Sequence, residues 1–150
     1  MTHNHLPARL YHLASSDHGS FINWHPRSFG INRPSFEPQT SRICFSLSVS
    51  GCLLSLGYIA TQYKEWHLYS TMSSYYQPKT TDVVDSSVTE EVWRLSETAM
   101  NKIHIFSSQE KSELEKHLYF TSGNPSAIKY QLQSKIKIEK VLRKFIDAKT

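Results

Sequence analysis

The longest uncharged stretch of the chain runs from Ile43 to Tyr63, between Arg42 and Lys64. Its 21 residues would make a helix ~32 Å long, enough for a hydrocarbon core of ~30 Å. Tyr58 and Tyr63 lie toward its second end, with Trp66 and Tyr69 just beyond, where an aromatic belt would sit. The pattern therefore predicts a transmembrane helix over 43–63. Ser46, Ser50, Gly51 and Ser55 interrupt it at small-xxx-small spacing. Small residues so placed let a second transmembrane helix approach closely, so they are candidate helix-packing positions. Two other readings stay open. Phe45, Leu47 and Val49 alternate with Ser46, Ser48 and Ser50, the period of a half-buried strand, until the run Gly51–Leu54 breaks it. The same segment would also suit a helix buried in a protein core.

Beyond residue 87 the pattern changes to helical spacing. Val92, Leu95, Ala99, Ile103 and Phe106 recur every three or four residues, and Ser87 with Glu90 makes a capping box, so a first helix is expected over 88–106. A second is expected over 108–121, opened by Ser107 and Glu110, striped by Leu114 and Leu118, and stopped at Gly123. A third begins with Asn124 as cap and Pro125 at its first position. Its apolar positions are Ile128, Leu132, Ile136, Leu142, Phe145 and Ile146, widened by Ile138 and Val141. Residues 64–87 carry Pro78 among many Ser and Thr and read as a linker.

The first 42 residues contain Pro7, Pro26, Pro34 and Pro38, which forbid long regular structure. They are Arg- and Ser-containing and poor in acids, as a mitochondrial presequence is, and Leu6–Leu13 with Arg9 would supply its amphipathic helix. An ordinary disordered tail is the other reading. The resulting fold class is mainly α: a disordered N-terminal tail (1–42), one transmembrane helix (43–63), a linker (64–87), and a small helical hairpin or three-helix unit (88–148).

Charge sharpens this picture. Residues 80–123 hold eight acids against four bases, and residues 124–150 hold seven bases against two acids. Such neighbours would face one another across a helical hairpin. Otherwise Lys135, Lys137, Lys140, Arg143 and Lys144 present a basic surface to a partner protein or to anionic lipid head groups. Nucleic acid fits less well, because no reading motif or stacking aromatic accompanies these bases.

The chemistry-bearing residues add little. Cys44 and Cys52 are the two cysteines; eight apart on a helix they would lie ~12 Å apart along its axis, too far for a disulfide. The spacing of His3, His5 and His12 matches no standard metal site. Five glycines, widely scattered, make no phosphate loop. No nucleophile with its base, no carboxylate pair and no cofactor motif can be assembled, so the chain reads as a non-enzyme without cofactor or metal. The expectation is an accessory or assembly subunit of a larger membrane complex, the mitochondrial inner membrane first, with other subunits as partners. The alternative is a soluble helical protein-interaction module with a disordered N-terminus.

Overall fold

A computed structural model describes residues 6–27, 40–83, 85–118 and 127–146. The chain is mixed α/β rather than mainly α. Its strands are β1 (Ala8–Ala14), β2 (Phe21–Trp24), β3 (Ile43–Ser46), β4 (His67–Ser73), β5 (Glu91–Arg94) and β6 (Thr98–Ile105). Its helices are α1 (Val49–Leu56), α2 (Tyr58–Gln62), α3 (Ser86–Thr89), α4 (Ser108–Glu115) and α5 (Ile128–Leu142). The strands form one six-stranded sheet in the order β2-β6-β4-β1-β3-β5, antiparallel at each pairing.

The predicted transmembrane helix does not exist. Among the described residues, no helix is long and apolar enough to cross a membrane. Segment 43–63 divides into β3, α1 and α2. Of the period-two stretch only Phe45 and Ser46 are strand, at the end of β3. Ser48 then caps α1, its hydroxyl accepting from the Gly51 N–H at 3.0 Å. Gly57 ends α1 with φ of 53°, a left-handed value that a side chain disfavours. The eight residues between make a helix only ~12 Å long. With the span goes its membrane placement, in the mitochondrial inner membrane or elsewhere, and its role as a membrane-complex subunit.

The regions read as tail and linker hold two interior strands. β1 pairs with β4 along its whole length, from Ala8↔Ser73 to Ala14↔His67. Leu10, Tyr11, Leu13 and Ala14 are buried on both faces of the sheet, so β1 shows no clean alternation. The helix expected over 88–106 is the end of α3 followed by β5 and β6. Its three- and four-residue spacing arises because a short connection falls at residues 95–97, between two strands with their own period. The capping box at Ser107 and Glu110 does open α4, and α5 is a helix. Gly123, Asn124 and Pro125 lie outside the described residues.

The sheet curls. Four strand spacings separate β5 from β6, ~19 Å if flat, yet only residues 95–97 join them, a reach of ~14 Å. The sheet closes on itself far enough for Arg94 Nε to donate to Thr98 Oγ1 at 3.0 Å. The inner face of the curl packs Leu10, Ala14, Ile43, Phe45, Tyr69, Val92 and Met100. The outer face carries Tyr11, Leu13 and Leu68 against Val49, Cys52, Leu53, Val88, Leu114, Ile138 and Val141 of the helices.

Candidate functional site

Three places concentrate polar or accessible groups. The first is the junction of α1 with α3 and α5. Gly51 sits so close to its neighbours that a Cβ there would lie 2.2 Å from both Ser46 Oγ and the Thr89 carbonyl oxygen. The buried Ser46 hydroxyl donates to Thr89 O at 2.6 Å and accepts from the Ser48 N–H at 3.2 Å. Ser48 donates to a Glu90 carboxylate oxygen at 2.8 Å, and Lys135 of α5 reaches that same oxygen. Ser50 lies within 3.4 Å of the Glu139 carboxylate. Glu90 adopts φ of 51°, the one positive φ outside glycine among the described residues. Every group in this cluster is held by another. Ser46, Ser50 and Gly51 thus let elements of the same chain approach closely, where a second membrane helix had been expected. Ser55 is exposed and stands apart from them.

The second place is the seam between β1 and β3, which share one Cα pair, Tyr11↔Ser46. There the ladder gives way to side chains. His12 Nδ1 meets the Cys44 carbonyl oxygen at 3.0 Å, and the Cys52 thiol donates to the Tyr11 carbonyl at 3.1 Å. An opening of about 90 Å³ results, lined by both cysteines, His12, Phe45, Ser55 and Leu56 among others. That volume holds about three waters. Burial pushes the Cys52 thiol up to about 12, so at neutral pH it is no nucleophile. Burial likewise lowers the His12 pKa. Cys44 is partly exposed and is the more accessible thiol. His12 also lies against Trp24 and Phe45, with ring centroids 5.3 and 5.8 Å away.

The third place is the outer face of α5. Gln131, Ser134, Ile138, Val141 and Leu142 point into the molecule. Lys137, Lys140 and Arg143 are exposed, as is Lys129. Lys135 is taken inward by Glu90, and Lys144 pairs with Glu113 of α4 at 3.2 Å. So the basic residues divide: two bind the fold together across elements and three, with Lys129, face outward. The expected apolar stripe divides too. Ile136 is 70% exposed, Tyr130 62% and Leu132 39%. The signal was present in the sequence: Ile136 and Ile138 stand ~200° apart on a helix and cannot share one face.

His104, expected on a helix, is on β6, where Glu110 meets its Nε2 at 3.2 Å. His3 and His5 lie outside the described residues. Among the described residues, no three His, Cys, Asp or Glu side chains come together as a metal site. No protein-family model, no curated protein and no solved structure matches this chain.

Proposed function

We propose that the chain is a non-catalytic interaction domain that docks a partner through the outer face of α5. The observation that carries this reading is the ridge Lys129–Leu132–Ile136–Lys140–Arg143. These positions are spaced by three, four, four and three residues, so they fall along one line of the helix. Large apolar side chains stand exposed at its centre, with cations at both ends. The inner face of the same helix is committed to the core through Ile138, Val141 and Leu142, and the Lys135–Glu90 pair ties it to the corner before β5. The ridge therefore sits on a fixed support, which lowers the ordering cost of binding. The polar clusters elsewhere support a non-enzymatic reading, because their hydroxyls, carboxylates and ammonium groups serve one another.

Photo-crosslinking in cells tests the docking role. A photoreactive residue at position 136 is expected to give a discrete adduct. The same group at position 21, on the exposed Phe21 of β2, is expected to give none. The adduct should vanish in a K140E/R143E background whose melting temperature is unchanged. Equal adducts at both positions, or none at 136, would overturn the proposal.

A second reading is binding of a small apolar ligand in the β1–β3 seam, favoured by the opening beside Cys44 and Leu56. Ligand-observed NMR with a fragment set, competed by alkylation at Cys44, checks it; fragments that bind equally after alkylation would exclude the seam.

A further inference from the structure

Resting on the docking role just proposed, we infer that the partner of α5 is an acidic amphipathic protein segment, apolar at its centre and carboxylate-bearing at both ends. The order of residues along the ridge carries this. Lys129 occupies one end, Leu132 and Ile136 the middle, and Lys140 with Arg143 the other end. An apolar centre that excludes water from a charged rim is the arrangement of a protein–protein contact. Lys137 and Tyr130, both exposed, flank the ridge on one side. A helix or strand that lays Leu or Ile on Leu132 and Ile136 brings its own ends opposite the cations. Opposite charges at the rim then fix its position along α5.

The other occupants fit less well. A phosphate backbone would use the cations but gain nothing from Leu132 and Ile136. A lipid surface would use both kinds of residue. However, α5 is clamped to the core along its other face, so it cannot sink into an acyl layer as a free amphipathic helix does. A second copy of this chain, related by two-fold symmetry about the middle of the ridge, would set its own Lys129 against Lys140 and Arg143. Like charges would then meet at both ends. Nor are the acids of α4 free to serve a second copy. Glu110 meets His104 and the Ser107 N–H, Glu113 meets Lys144, and Glu115 meets Lys111.

The test is titration of the full chain with five labelled probes. These are a synthetic peptide with a Leu/Ile centre and Glu at both ends, its Gln-ended and Lys-ended analogues, phosphatidylserine vesicles, and a single-stranded RNA oligonucleotide. The Glu-ended peptide is expected to bind tightest. Its affinity should fall about tenfold for the Gln-ended analogue, and by a similar factor for I136S. K140E/R143E should lose the Glu-ended peptide and gain a Lys-ended one, a reversal that a merely misfolded variant would not show. Vesicles or RNA binding more tightly than the peptide would overturn the inference, as would equal affinity for both peptides or no peptide binding. If crosslinking at position 136 succeeds while the peptide fails, the docking role stands and the partner class falls. If crosslinking also fails, both fall.

Discussion

Gly51 is the residue on which most local geometry converges. Adding one methyl group there meets the Thr89 backbone carbonyl, which cannot step aside as a side-chain tip can. Gly51→Ala is therefore expected to cost about 1–3 kcal/mol of stability, read as a lower urea midpoint with unchanged slope. The two cysteines should also separate chemically. In the native chain at mildly alkaline pH, a thiol reagent is expected to label Cys44 and leave Cys52 untouched, whereas in denaturant both react. The Cys52 thiol, pushed up to about 12 by burial, keeps its proton in the fold after the unfolded chain has lost its own. Stability should thus fall as pH rises from about 9 toward 12. His12 acts at the acid end with the sign worked the same way. Its lowered pKa means that the unfolded chain takes up a proton before the folded one does. Stability held above about pH 6.5 is lost as pH falls below it. Urea midpoints between about pH 7 and pH 5 should slope less in His12→Asn, which keeps a donor for the Cys44 carbonyl.

At the scale of elements, the Glu90–Lys135 pair joins the corner before β5 to α5 with both side chains mostly out of solvent. Glu90→Ala strands the Lys135 ammonium and a Ser48 hydroxyl. A double-mutant cycle of Glu90→Ala with Lys135→Met should show a coupling of about 1–3 kcal/mol. A coupling near zero would mean that Lys135 finds water instead. The helices α4 and α5 were legible in the sequence because each shows its signal locally: a capping box in one, a long amphipathic run in the other. The strands were not, for a physical reason. β1 is buried on both faces, so Leu10, Tyr11, Leu13 and Ala14 give no period of two and mimic a short helix. β3 shows its alternation, but Ser48 and Gly57, the residues that start and stop α1, read equally well as small residues inside a longer apolar helix. β5 and β6 are separated by three residues, too few to reveal the turn, so two strand patterns merged into one false helical stripe. Of the candidate site, the cations of α5 were visible as a group. Their division into inward and outward members depends on Glu90 and Glu113, which lie 45 and 31 residues from their partners.

The whole molecule depends on the corner at residues 95–97. Arg94 braces it with three contacts: Nε to Thr98 Oγ1 at 3.0 Å, Nη2 to Ser96 Oγ at 3.2 Å, and Nη1 to the Ser74 carbonyl at 3.3 Å. Arg94→Ala should cost about 1–2 kcal/mol. It should also speed amide hydrogen exchange most in β2 and β5, the two edges of the sheet, and less in β1 and β4. Uniform exchange across the sheet would show that the corner does not control the curl.

The place of β1 in the sheet has a consequence for the order in which the molecule can be assembled. β1, made before the other described strands, pairs with β4, about 60 residues later in the chain, and β2 must wait still longer for β6. Until residue 73 has emerged, β1 has no full-length neighbour, and its apolar faces stay open to other chains. Such distant pairings fold slowly. Synthesis therefore passes through a period in which β1, its partner not yet made, needs a chaperone's protection.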